Sequence, residues 1–192
     1  MRSSPAALAV LLLAATPARA QAPAPAARET IERVLAVVDE RPLLLSDVRT
    51  LQAVRSLDPK AALEAAIDER LMYAEASRLV QAEVRPEDES SALALLLARA
   101  PALADRVSEA ELRRLLRRQV AILKYVEFRF RPQVRVSDEQ VRAAWAAEAA
   151  GPAFEDAQEA IRVRLERQAL DARIEAWVVE LRARAVVRYV GD

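Results

Sequence analysis

The sequence contains no histidine and no cysteine, and it has only two glycines, Gly151 and Gly191. Without cysteine there are no disulfides and no thiol redox chemistry. Without either residue, the usual Cys/His zinc sites and the Ser-His-Asp and Cys-His catalytic arrangements are excluded. Two isolated glycines cannot form a phosphate-binding loop or a dinucleotide fingerprint. We therefore expect no cofactor and no metal site, and any catalysis would have to use carboxylates, lysine, serine or tyrosine.

The first 20 of the 192 residues have the pattern of an export signal. Arg2 precedes the apolar segment Ala6–Ala15, and Ala18–Ala20 forms a small-x-small site that predicts cleavage after Ala20. The apolar segment is shorter than the ~20 residues that a membrane-spanning helix needs, so a retained anchor is the less favoured interpretation. Residues 21–29 are rich in proline and alanine and are predicted to be a disordered lead-in. The pattern therefore predicts that the chain is exported across a membrane.

The charged residues give no indication of a nucleic-acid partner. Cleavage after Ala20 leaves 27 basic and 29 acidic residues, a net charge of −2. The densest basic run, Arg113–Arg118, is interpreted as the solvated side of an amphipathic helix. The acidic run Glu87–Glu89 is interpreted as the first turn of a helix, because adjacent helical side chains diverge and acids there favour the helix dipole.

The hydrophobic pattern predicts one domain over residues 30–192, mainly α-helical with a small antiparallel sheet. Ser46, Ser108 and Ser137 are predicted helix caps, the last two in capping boxes. A lone hairpin is marginal in water, so the strand near the carboxyl end is expected to pair with it. The predicted elements are a hairpin at 31–45, helices within 46–149 that include one over 60–82, a long helix at 154–185 and a strand at 186–190.

Four segments follow one another along the chain in a characteristic order. They are ERVLAVVDERPLLLSDV, AALEAAIDERLMYAEASRL, VRVSDEQVRAAWAAE and EAIRVRLERQALDARIEAWVVELRARAVVRYV. In this order they resemble the core of SurA-type periplasmic chaperones and their PrsA and PpiD relatives. The resemblance covers the chain from about Glu32 to Val190. It implies a periplasmic location and a helical chaperone core, closed by a terminal helix and strand, that binds unfolded exported or outer-membrane proteins.

The main departure from this family is the absence of an inserted domain. In the relatives, a parvulin-type prolyl isomerase domain usually follows the VSDEQV helix, whereas here only the stretch Ala146–Pro152 lies there. Parvulin sites also use paired histidines, so isomerase activity is not carried over and the chain is expected not to be an enzyme. Three functions stay open: an ATP-independent holdase, an envelope scaffold with one fixed partner, and a degenerate prolyl isomerase.

Two further expectations follow. The short Gly151-Pro152 joint favours exchange of the terminal helix and strand between two chains, which predicts a domain-swapped dimer. Phe130, Trp145 and Trp177 have helical spacings typical of a core, whereas Phe128 lies off the main stripe and is the candidate client-binding residue. That stripe in the predicted helix consists of Leu112, Leu115, Leu116, Ile122, Leu123, Val126 and Phe130.

Overall fold

Three short strands, which lie near the two ends of the described residues, form one antiparallel sheet. The computed structural model describes residues 32–148 and 153–190. The strands are β1 (Val34–Val38), β2 (Arg41–Leu44) and β3 (Val187–Tyr189). Their order is β2-β1-β3, so the first strand lies in the centre. The strand near the carboxyl end therefore completes the hairpin, as the sequence predicts. The export signal, the lead-in and the Gly151-Pro152 joint lie outside the described residues.

The turn of the hairpin also holds the carboxyl-terminal strand. Asp39 and Glu40 have φ angles of 45° and 67°, the left-handed region that a tight two-residue hairpin turn requires. The Asp39 amide donates to the Val186 carbonyl at 3.0 Å. The Asp39 carboxylate accepts from the Val186 amide at 2.9 Å. These bonds explain an aspartate at a position of positive φ, since the same residue makes the turn and secures the incoming strand.

Six α-helices lie between β2 and β3 in the described residues. Asp58 caps the second helix, and its carboxylate accepts from the Lys60 and Ala61 amides at 3.0 Å. Ser108 and Ser137 form the predicted capping boxes of the fourth and fifth. The helices are α1 (Leu45–Arg55), α2 (Pro59–Ala76), α3 (Pro86–Arg99), α4 (Glu109–Arg129), α5 (Asp138–Ala147) and α6 (Phe154–Arg184).

Two local predictions are wrong. The predicted helix over 60–82 ends at Ala76, because the Ser77 hydroxyl donates to the Ala74 carbonyl and a separate 3-10 turn follows at Val80–Ala82. Ser46 does not cap α1 with its own side chain. Instead a carboxylate from outside the helix, that of Glu32, accepts from the Ser46 amide at 3.2 Å and from its hydroxyl at 2.8 Å.

The ends of α6 belong to different hydrophobic clusters. Its 31 residues extend about 46 Å at 1.5 Å per residue. Near its start, Ala157 and Ile161 pack with Val141 of α5 in a small separate cluster. Near its end, Trp177 and Leu181 join the main core formed by the sheet, α1, α2 and α4. Buried members of the main core include Ala36, Val38, Leu43, Val48, Leu51, Ile67, Leu71, Leu115 and Val126.

The central strand is buried on one side more than on the other. Ala36 and Val38 are buried, while Leu35 and Val37 on the opposite face are half-buried. Among the described residues, no layer closes fully over the face that carries Leu35 and Val37. Within 32–148 and 153–190, no helix is long and apolar enough to span a bilayer.

Candidate functional site

An open apolar groove lies where α2, α4 and α6 meet. Its volume is about 260 Å³. Four of its residues come from α4, and α6 contributes one. We call it the apolar groove; it is lined by Arg55, Glu69, Met72, Gln119, Ile122, Leu123, Val126 and Ile174.

The spacing of residues on α4 explains the groove. Gln119, Ile122, Leu123 and Val126 lie at intervals of three and four residues, so they share one helical face. Val126 is buried in the main core, whereas Leu123 is 57% exposed. The sequence places Leu123 on the main stripe of the helix, and α4 does present these residues on one face. Among the described residues, however, no other element covers the Leu123 position.

Three aromatic rings fix the carboxyl end of α4 against α6. Tyr125 stacks on Trp177 with ring centroids 4.8 Å apart. Phe130 meets Trp177 edge-on at 5.2 Å and Tyr125 at 5.8 Å. Such pairs add to the stabilisation from buried area. Phe130 and Trp177 are therefore core residues, as predicted, while Trp145 is half-buried and lies against Phe154 in the α5–α6 cluster.

A network of charged side chains begins at Glu69 in the wall of the groove and extends away from it. Arg118 and Glu69 are only 9% and 3% exposed, and the Arg118 Nε donates to Glu69 at 2.7 Å. Gln119 donates to the other Glu69 oxygen at 3.2 Å. Arg118 also lies 3.3 Å from the Asp47 carboxylate, which accepts from Arg70 at 2.6 Å. Pairing of this kind is what allows charges to remain in a low-dielectric interior.

The interpretation of the basic run as a solvated face is therefore wrong for Arg118. The positions of the other three arginines of the run agree better with the interpretation as a solvated face. Arg113 pairs with Glu109 at 2.7 Å, and Arg117 pairs with Glu89. Arg114 is exposed and forms no ion pair with any described residue. Arg118 differs because it points toward α1 and α2 and contacts a carboxylate of each helix.

The acidic run at the start of α3 serves as helix cap and ion-pair partner. Asp88 accepts from the Arg85 amide at 2.9 Å and pairs with Lys124 of α4, which lowers the pKa of Asp88. Glu89 points elsewhere and pairs with Arg117. The carboxylates thus diverge, as the sequence predicts. Over the described ranges, no cluster of acidic residues has the arrangement of a metal site.

Phe128, the residue singled out from the sequence, does not line the groove. It is 52% exposed, in agreement with its position off the main stripe. Because it follows Val126 by two residues, it lies about 200° around the helix from the groove. Sequence reasoning missed Leu123, Met72 and Ile174 as groove residues. Their apolar character was visible, but nothing in the pattern distinguishes an open position from a covered one.

Polar contacts fasten the carboxyl-terminal arm, defined as Leu170–Val190, to α2. Arg182 pairs with Asp68 and with Glu64, the latter at 2.8 Å. The Tyr189 hydroxyl donates to Glu64 at 2.9 Å. The hydrogen bond from Arg182 holds the pKa of Glu64 below its ordinary value of 4.5, against the opposing effect of burial. The same carboxylate raises the pKa of Tyr189 above 10.0.

Comparison with known proteins identifies the fold. No family model matches the chain, and no curated protein matches it. A solved structure from Campylobacter jejuni is similar, with a TM-score of 0.58 and 11% identity over 83% of this chain and 99% of the other. It comes from work on the virulence factor PEB4 and the periplasmic protein Cj1289, described as structurally related SurA-like chaperones. The chain thus has a SurA-like helical fold, which confirms the resemblance seen in the sequence at the level of the fold.

Proposed function

We propose that this chain is an ATP-independent chaperone of the periplasm that holds unfolded exported proteins without catalysing any reaction. The likeness to SurA-like chaperones supports this function by analogy only, because one fold hosts many functions. The observation that carries the proposal is the open apolar groove with the uncovered Leu123 at its edge. Unfolded clients expose the apolar side chains that such a groove receives.

The size of the groove favours weak and reversible binding. Burial of one client leucine or phenylalanine contributes roughly 1.5–3 kcal/mol. A groove of about 260 Å³ has room for few side chains, and ordering the client offsets part of the gain. Release therefore needs no nucleotide, since the client leaves by dissociation or by folding.

The central test replaces Leu123 by a charged residue. We expect L123E to lose most of its ability to suppress aggregation of a urea-unfolded β-barrel protein after dilution, measured by light scattering. The matched control is L95E, because Leu95 is also a helical leucine, is 61% exposed and lies away from the groove. If L123E and L95E protect the client equally well, the groove is not the binding site.

Client range separates the holdase from a scaffold with one fixed partner. Photoreactive residues introduced at positions 72 and 123 should capture several unrelated exported proteins in the periplasm. Capture of one protein at high occupancy would favour the scaffold instead. A proline-peptide isomerisation assay tests the third alternative, and we expect no rate increase because the chain contains no histidine.

The periplasmic location rests on the export signal at residues 1–20. Protein purified from the periplasmic fraction should begin at Gln21, as read by amino-terminal sequencing. Full-length protein retained in the membrane fraction would favour the anchor interpretation.

A further inference from the structure

Another cavity, of about 490 Å³, lies between β2, the start of α1, α2 and α4. Its volume is within the ~300–1,000 Å³ typical of ligand pockets. Four arginines face it, which is unusual in a chain without net positive charge. We call it the arginine cavity; it is lined by Glu32, Arg41, Pro42, Leu44, Ser46, Asp47, Arg70, Arg114 and Arg118.

The two carboxylates of the cavity are already engaged. Asp47 accepts from Arg70 at 2.6 Å and lies 3.3 Å from Arg118. Glu32 accepts from the amide and hydroxyl of Ser46. Asp47 is therefore shared by two guanidinium groups. Glu32 is hydrogen-bonded to neutral groups only, so it keeps its negative charge and offsets one arginine.

The remaining two arginines have no acidic partner. Arg41 and Arg114 are exposed, and neither forms an ion pair within the described part of the chain. The four arginines outnumber the nearby carboxylates, which are Glu32, Asp47 and Glu69, the partner of Arg118. The first turn of α1 contributes Ser46 and Asp47 to the lining, and the amino-terminal end of a helix carries partial positive charge. The cavity consequently favours an anion.

The lining indicates which anion fits. A guanidinium presents its N–H donors as a planar fork that matches the two oxygens of a carboxylate. Pro42 and Leu44 add an apolar surface beside the arginines. They belong to β2, an edge strand of the sheet, and Pro42 has no N–H to donate there, so the surface that they add is apolar. A carboxylate attached to an apolar chain meets both features.

We propose that the arginine cavity binds the carboxylate of an extended polypeptide, with Arg41 and Arg114 as the contacting groups. This rests on the proposed function, because an unfolded client supplies the carboxylate, either at its carboxyl terminus or on an Asp or Glu side chain. Glu69 lines the apolar groove and its partner Arg118 lines the arginine cavity, so one buried ion pair separates the two sites. Contacts at both sites raise affinity beyond that of either alone.

The test measures binding of fluorescent apolar peptides by anisotropy. One peptide has a free carboxyl terminus, one is amidated, and one is amidated with an internal glutamate. The wild-type chain should bind the two carboxylate peptides about tenfold more tightly than the neutral one, as expected for one charge-assisted contact. R41Q/R114Q should bind all three like the neutral peptide. The control R99Q/R129Q removes the same charge from exposed positions that form no ion pair with another described residue, and it should keep the preference.

Each outcome has a distinct meaning. Equal binding of all three peptides by the wild-type chain overturns the carboxylate site and leaves the proposed function standing, whereas no binding of any peptide overturns the proposed function. A preference for the free terminus alone, or for the glutamate alone, supports the site and identifies its source. A preference that survives in R41Q/R114Q, with an unchanged circular dichroism spectrum, overturns it. The site is also overturned if R41Q/R114Q no longer binds phosphatidylglycerol vesicles but binds the three peptides as the wild-type chain does. The ligand would then be a lipid.

Discussion

At the scale of the residue, α4 shows that neighbouring arginines can have opposite environments. Arg117 is exposed on the surface while Arg118, the next residue, is buried between Glu69 and Asp47. The sequence predicts a helix and an arginine-rich face, and both are correct. It does not indicate that a carboxylate of α2 and another of α1 meet on the inner side of that face. Side chains 49 and 71 positions away in the chain decide the burial of Arg118.

Removal of one partner from this network should be costly. We expect R118M to lower the free energy of unfolding by about 3–5 kcal/mol, because Glu69 stays buried without its countercharge. Urea unfolding followed by circular dichroism measures the change. The double variant R118M/E69M should recover most of the loss, since it leaves an apolar pair in place of a lone charge. A loss below about 1 kcal/mol in R118M would contradict a stabilising role for the pair.

Phe128 offers a second prediction at this scale. If the exposed ring contributes to client binding outside the groove, F128A should weaken binding of an aromatic-rich peptide about fivefold, the equivalent of ~1 kcal/mol. Anisotropy with a labelled peptide measures it, and L95A is the control because Leu95 is an exposed apolar residue on α3. If F128A binds the peptide as tightly as the wild-type chain, Phe128 takes no part in binding and the apolar groove is the candidate surface.

At the scale of the element, the carboxyl-terminal arm is held by contacts of two kinds. Its apolar side, with Trp177 and Leu181, packs into the main core. Its polar side presents Arg182 and Tyr189 to Glu64 of α2. Periodicity in the sequence predicts the first kind. The second depends on residues 118 and 125 positions apart, which only the return of the chain brings together.

Acid should weaken the polar attachment of the arm. Because the folded-state pKa of Glu64 lies below 4.5, the contribution of this carboxylate is present above pH 4.5 and is lost as the pH falls through the folded value. We expect E64Q to be less stable than the wild-type chain at pH 7 by less than about 1 kcal/mol, because the pair is partly exposed and screened. Urea unfolding at pH 7, 5 and 3 should show this difference shrinking toward acid.

The control for the acid effect is E127Q. Glu127 also has a lowered pKa, because Arg131 donates hydrogen bonds to it, but it lies on α4 and does not touch the arm. Hydrogen exchange of the Val190 amide, which donates to the Leu35 carbonyl at 2.9 Å, should be faster in E64Q than in E127Q. Equal exchange in the two variants would show that Glu64 does not hold β3.

At the scale of the whole molecule, strands near the two ends of the described residues meet in one sheet. β3 pairs with β1 with Val38 opposite Val187 and Ala36 opposite Tyr189. In the described residues this pairing lies within a single chain. The surface that holds the arm, formed by β1, α2 and α4, would be identical on a second copy. Because a second copy would offer the same surface, exchange of the terminal helix and strand between two chains stays a prediction.

An engineered cysteine pair can detect such exchange. V38C/V187C places the two thiols on facing positions, and the chain contains no other cysteine to interfere. We expect oxidation at high protein concentration to give some covalent dimer on a denaturing gel, and light scattering of the unmodified chain to show a matching dimer fraction. The single variant V38C is the control for random crosslinking. Only intramolecular bonds and a monomeric mass at high concentration would contradict the swap.

The sequence alone determined the helical class, the capping boxes at Ser108 and Ser137 and the strand that completes the hairpin. These features depend on local propensity and on periodicity, which neighbouring residues carry. The tertiary structure decided which apolar positions stay open and which charges are buried. Leu123 has the same spacing as a core residue and Arg118 the same spacing as a surface one. Their environments depend on packing between helices that are distant in the chain, and no local pattern encodes that packing.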